Sequence, residues 1–297
     1  MKTLIKSWLI VVLLSSFCTA GIKFSINNKW LSQDAYWIAT SYYGAMRSEI
    51  TYPSRAFLTY LNLHIDKDRY FFGVDWLVSR NFDVIQGYDT DWNLGLINYK
   101  SFHNSHTHMK DFKVYAGTEF YDIGFKLIYN KRFLEHIMKD GGWIVAMGYY
   151  YNEPISGLHT VYDIEYSALG IGVEYEKRLT IGSRALNKPS DLYLTIGIDF
   201  YPHIVTTCDG WWNLRDLYFK QDVSGERING EIYLKYRYKR LYFSLGYMID
   251  YTFLVDGSVK KFEIKGKNAG YSYKTSNVQY YLYDRGLVFN IEFNLEN

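Results

Sequence analysis

The sequence predicts an all-β chain: a transmembrane antiparallel up-and-down β-barrel of about ten strands. Three observations predict it. An export signal opens the chain. Apolar and polar residues then alternate with period two along most of its length. Aromatic residues make up 19 % of the 297 residues, with 31 Tyr against only 4 Pro. Low Pro suits long hydrogen-bonded strands, and Tyr suits a surface that is apolar at one end and wet at the other.

The export signal comes first. Met1, Lys2 and Lys6 form a basic start, Trp8–Leu14 an apolar run, and Ser15, Ser16, Cys18, Thr19 and Ala20 a small-residue exit. The run is too short for a spanning helix, which needs about 20 apolar residues. It reads as a signal peptide over 1–20, cut after Ala20. Bulky Phe17 before Cys18 argues against a lipid-anchor site. Residues 21–297 form one barrel domain, with no internal repeat, low-complexity linker or charge block. Cys208 is the one cysteine left after the cut, so no disulfide framework holds the fold.

The alternation is clearest in four runs. Leu241, Phe243, Leu245, Tyr247, Ile249, Tyr251 and Phe253 alternate with Tyr242, Ser244, Gly246, Met248, Asp250 and Thr252. Runs beginning at Tyr70, Leu192 and Ile228 behave in the same way. These runs exceed the mean soluble strand of about 5–6 residues and match a tilted membrane strand of about 9–11. Asp75, Glu119, Asp199, Glu231, Lys235, Arg237 and Asp250 fall opposite the apolar face. A soluble sandwich would bury the apolar face and solvate the charges. A membrane barrel turns the apolar face to lipid and the charges to its lumen. Strand length, Tyr content and the signal favour the barrel. A mean hydropathy of −0.21 fits it, because only alternate residues meet lipid.

The predicted strands are 35–50, 55–65, 69–80, 109–133, 142–153, 162–179, 191–205, 221–239, 241–256 and 275–295. A parity change at Tyr121–Asp122 predicts a bulge inside the fourth. Connections 66–68, 134–141, 180–190 and 239–240 are mostly shorter than 81–108, 154–161, 206–220 and 257–274. That alternation predicts periplasmic turns and extracellular loops, respectively, in the outer membrane of a diderm bacterium.

A net charge of +2 implies no nucleic-acid partner. Outer-membrane lipid is the expected surrounding, with lipopolysaccharide a candidate partner and a monomer the expected state. No cofactor or metal is expected. Two loop clusters stand out: Asp89-Thr90-Asp91-Trp92, and Cys208 through Tyr218. Two carboxylates two residues apart share a face on extended backbone. Like charges held close raise one pKa and prepare a carboxylate to orient water. The plainer reading is a solvated acidic loop. His106 and His108, in His103-x-x-His106-x-His108, share a face where a metal would find two ligands; an exposed polar loop explains them equally. Trp211-Trp212 reads as a ligand platform or as interface anchors.

The arrangement resembles the omptin family of outer-membrane endoproteases. The resemblance rests on Asp89-x-Asp91-Trp92 in the second outer loop, Ser79-Arg80-Asn81 before it, and Ser105-His106, Tyr115-Ala116, Glu119-Phe120 and Glu176-Lys177-Arg178 further on. It implies a catalytic pair, Asp89 and Asp91, facing an Asp–His dyad across the barrel mouth, with water attacking a peptide bond near basic residues. The dyad position matches Asp216-Leu217-Tyr218, with Tyr where the family has His. Tyr, with a pKa near 10, is a poor base at neutral pH. His106 and its neighbours His103 and His108 are the alternative bases. Three classes follow: a surface endopeptidase acting on peptide or protein at the outer loops, a non-enzymatic surface protein such as an adhesin or degenerate omptin, and a small pore. About ten strands leave a lumen mostly filled by side chains, which disfavours the pore.

Overall fold

The structure is a computed structural model that describes residues 21–40, 46–179, 191–215, 217–263 and 272–295. Residues 1–20, which hold the expected signal peptide, and Asp216 lie outside them. The described residues are almost wholly antiparallel β: β1 (Gly21–Thr40), β2 (Met46–Lys67), β3 (Tyr70–Asp83), β4 (Ile85–Asn93), β5 (Leu96–Phe120), β6 (Ile123–Ala146), β7 (Tyr149–Arg178), β8 (Leu192–Trp212), β9 (Leu217–Tyr238), β10 (Leu241–Glu263) and β11 (Ser272–Asn294). β1 pairs with both β2 and β11, so the sheet closes on itself and has no free edge. β3 and β4 lie end to end between β2 and β5, interrupted at Val84. The eleven segments therefore occupy ten positions around the ring.

The number of positions agrees with the sequence reading, but several boundaries do not. The segment 81–108, expected as a loop, holds the end of β3, all of β4 and the first half of β5. Segment 134–141 lies inside β6 and 154–161 inside β7, while 206–220 holds the end of β8, a single 3-10 turn at Asn213–Arg215 and the start of β9. Tyr121–Asp122 is a hairpin turn and not a bulge: Phe120 pairs with Ile123 across it. Tyr121 takes φ +57°, the left-handed region where Gly or Asn is the usual signal, so an aromatic there hid the turn. The missed strand halves have no lipid to face. Their outward positions mix polar residues such as Gln86, Thr90, Lys100, Asn104 and His106 with Tyr88, Trp92 and Phe102, and the period-two signal fades.

One face of the wall is apolar over a continuous band near the end that holds Gly21, Leu295 and the turns at 68–69, 121–122 and 239–240. Trp30, Phe57, Trp76, Leu127, Leu169, Ile198, Leu234, Leu245 and Leu287 all point outward there and are exposed. A band this large and unbroken is a lipid-facing surface. Further along the strands polar residues enter the outward face, with Arg55, Lys110, Lys131 and Glu165. The 22 residues of β2 reach about 55 Å along a tilted barrel, at ~3.3 Å per residue and a tilt of ~40°. That is about twice an apolar band of ~25 Å, so the other half of the barrel stands clear of the lipid. We call this the far end.

The lumen is closed at mid-height, above a polar cavity of about 300 Å³ at the near end. At mid-height Arg132 lies 2.8 Å from Asp111, 3.5 Å from Asp250 and 3.8 Å from Asp284. Arg227 donates from Nε to Asp250 (2.7 Å) and from Nη1 to Asn130 (2.6 Å), and Asn130 donates to Asp111 (2.7 Å). Tyr60 also donates to Asp111 (3.0 Å), and Gln33 to Asp284 (2.9 Å). This girdle draws on seven strands and ties opposite walls together. Below it, Lys113 pairs with Asp75, Lys126 with Asp199, Lys29 with Glu231 and Lys235 with Glu176. Asp75, Asp199, Glu231, Lys235 and Asp250, which the sequence placed opposite the apolar face, thus find opposite charges inside the barrel.

Candidate functional site

The candidate residues cluster toward the far end, but on two different faces. Asp89 sits on β4 opposite Ile50 and Ser101, is almost fully buried and points into the lumen. Asp91, two residues on, shares that face at the rim. Gly87, one pair deeper, lies opposite His103. A Cβ there would overlap the Thr51 carbonyl and the His103 ring, so the glycine is what allows the imidazole to pack. His103 is wholly buried, and burial lowers its pKa to about 4. It is neutral at pH 7 and a weak base.

Beneath Asp89 the lumen is closed by aromatic rings. Tyr52 stacks on His136 at 4.7 Å and lies parallel to Tyr162 at 6.4 Å. The Tyr280 hydroxyl is 2.9 Å from His136 Nε2, and Thr107 Oγ1 is 3.1 Å from His136 Nδ1. Tyr162 and Trp37 both donate to Gln221 Oε1, at 2.5 and 3.2 Å. Burial lowers the His136 pKa to about 3 and raises that of Tyr52, with the Asp89 carboxylate adding to the rise. The gap left between Trp37, Tyr52, Tyr162, Trp212 and Gln221 is about 10 Å³, room for one water at most. The layer draws on β1, β2, β5, β6, β7, β9 and β11. Sequence reading missed it, because its members look like ordinary inward strand residues and only ring closure brings them together.

The other candidates stand outside this site. On β8 the lumen-facing positions beyond a bulge at Tyr201–Ile204 are Ile204, Thr206, Cys208, Gly210 and Trp212. Asp209 and Trp211 therefore face outward. Tyr218 pairs opposite Trp211 and hydrogen-bonds Asp209, which contributes, after burial, to raising its pKa. It lies on the outer wall, so the barrel wall separates it from Asp89 and Asp91. His106 and His108 also face outward on β5, sharing a face as expected; His108 lies 3.9 Å from Glu135. Among the described residues no group of three or more His, Cys, Asp or Glu side chains has metal-binding geometry. The Trp pair splits: Trp212 packs on the core, and Trp211 faces out 6.4 Å from His159.

Taken together, closure, a lipid-facing band and a packed polar lumen define a β-barrel of the outer-membrane type. The chain is similar in structure to the outer membrane protease OmpT from Escherichia coli, with a TM-score of 0.72 and 11 % identity over 93 % of this chain and 97 % of that one. It also matches the translocator domain of the autotransporter NalP from Neisseria meningitidis, at a TM-score of 0.40 and 8 % identity over 98 % and 95 %. No family model and no curated protein sequence matches it. At 11 % identity the likeness to OmpT is one of fold.

Proposed function

We propose that this chain is a non-enzymatic outer-membrane surface protein, with the end that holds the turns at 68–69, 121–122 and 239–240 in the periplasm and the far end outside the cell. The observation that carries the reading is the aromatic layer beneath Asp89. A hydrolase needs room for a peptide and its attacking water between its acidic pair and a base. Here Tyr52, His136, Tyr162 and Tyr280 fill the lumen directly beneath the pair, so a peptide finds no depth there, and no described imidazole stands exposed across the mouth from Asp89. The aromatic layer and the ionic girdle below it, which close the lumen, speak equally against a pore.

The purified, folded chain is expected to leave dibasic peptides uncleaved between pH 5 and 8. Tyr218→His is expected to add nothing, because residue 218 lies on the wrong face. Cleavage that disappears in Asp89→Ala would overturn this reading in favour of an endopeptidase. That second reading has its own support in the inward placement of Asp89 and Asp91 at the rim and in the likeness to an outer membrane protease.

Orientation and export have a separate check. On intact cells an impermeant maleimide should label Asn93→Cys and spare Arg69→Cys, since both sites are exposed, at opposite ends, while Cys208 is buried. The protein recovered from the outer membrane should have the mass of a chain beginning at Gly21. Labelling of Arg69→Cys alone would invert the orientation.

A further inference from the structure

Two neighbouring far-end hairpins share an unusual tip. β4 and β5 join through Leu94-Gly95, β6 and β7 through Met147-Gly148, each a two-residue turn with positive φ at both positions. Such turns ordinarily carry Asn or Asp before the Gly, because a branched or bulky side chain is strained there. Of the near-end turns, the one at Asp68 follows that chemistry in part, while Tyr121 and Lys239 hold the corresponding positive φ at the other two. At the far end the same positions hold Leu94 and Met147, 79 % and 84 % exposed, beside Leu96, Tyr149 and Tyr150 at 76 %, 71 % and 87 %.

The two tips act as one surface. Gly148 N–H donates to Asn98 O (3.2 Å), and the Tyr99 ring meets Trp143 edge-on at 5.0 Å. A Cβ built on Gly95 or Gly148 would meet nothing within 4 Å, so the tips project freely. Residues 92–99 and 141–152 carry no charge at all. The surface is apolar to aromatic at its tips, with Arg47 over the Trp92 ring and Glu153 beside Trp143 at its edge, and it stands at the opposite pole from the lipid band. A rigid protein partner would need a matching pocket and charge pattern for its rim. A fluid, zwitterionic bilayer needs neither: it admits apolar tips, and Tyr sits well at its interface.

We propose that the paired tips insert into an apposed bilayer of zwitterionic lipid, which makes the far end a membrane-docking surface. The proposal rests on the reading that this end lies outside the cell.

The test holds the full-length barrel in nanodiscs and measures co-flotation with phosphatidylcholine vesicles, with empty nanodiscs as control. The wild type should bind. The double variant Leu94→Asn, Met147→Asn restores Asn-Gly turns, so it should fold at least as well, yet lose affinity by on the order of 100-fold, from two apolar side chains no longer buried. A folded wild type that does not float with vesicles, or a double variant that binds equally, overturns the proposal. Disc-to-disc association without vesicles that the double variant abolishes would overturn it in favour of a second copy as the partner. Surface labelling of Asn93→Cys reports on the far end independently. Labelling without vesicle binding therefore rejects docking alone, and absent labelling rejects the orientation on which docking rests.

Discussion

Leu245→Arg should abolish assembly of the barrel in the membrane. Leu245 lies midway along the lipid-facing run of β10, opposite Leu234 on β9 and Phe289 on β11, and is 60 % exposed. An Arg at the bilayer midplane of such a barrel costs about 2–4 kcal/mol. That is a large share of a net stability of about 5–15 kcal/mol. Tyr242, three residues earlier, faces inward with its ring under Lys235 at 4.8 Å. Tyr242→Ala should still assemble, losing that cation–π contact and some packing. Heat-dependent gel migration of outer-membrane fractions reads both outcomes. The wild type and Tyr242→Ala should shift on boiling, whereas folded Leu245→Arg should be missing from the membrane. Equal assembly of the two variants would show that the faces are misassigned.

The second large effect is expected in the lumen. Arg132 is the cation that Asp111, Asp250 and Asp284 share, and all four side chains are buried. Arg132→Met keeps much of the volume but leaves an excess of carboxylate in a region closed to solvent. Removing one partner from a buried ionic network costs about 3–5 kcal/mol. Urea titration of the refolded protein in lipid, followed by Trp fluorescence, should show a loss of that size. Adding Asp111→Asn removes one of the stranded charges and should recover part of it, because Tyr60 and Asn130 still find a polar partner. An Arg132→Met protein within 1 kcal/mol of wild type, or a double variant weaker than the single, would show that the girdle does not tie the walls together.

Both expectations rest on a feature that was legible in the chain itself. A barrel wall between lipid and lumen must alternate, and the runs around Tyr70, Leu192, Ile228 and Leu241 do so without interruption. That fixed the fold class, and it put Leu245 on one face and Tyr242 on the other. The far half of the wall was not legible for the same physical reason. Where polar and apolar residues mix on both faces the alternation carries little hydrophobic contrast, so strand residues in 81–108 and 154–161 looked like loops. Turns with Tyr121, Leu94 or Met147 at the left-handed position gave no Asn or Asp signal, and the boundary at 121–122 was misplaced.

The candidate site divides along the same line. Asp89 and Asp91 share a face because they are two residues apart on a strand, and the sequence alone determined that. Whether their face meets Tyr218 depends on the strand parity of β8 and β9 far away in the chain. The bulge near Pro202–His203 resets the parity of β8 and turns Asp209 outward, beside Tyr218, which the unbroken alternation of β9 places on the same outer face as Ile228. The aromatic layer has no local signature at all. His136 and Tyr162 are a cross-strand pair on neighbouring β6 and β7, but Tyr52 and Tyr280 come from β2 and β11, and only closure of the ring brings the four together. The alternation of side chains is a property of each strand. Which inward side chains fill the same cross-section is set by register and shear around the whole barrel, and the tertiary structure alone decided that.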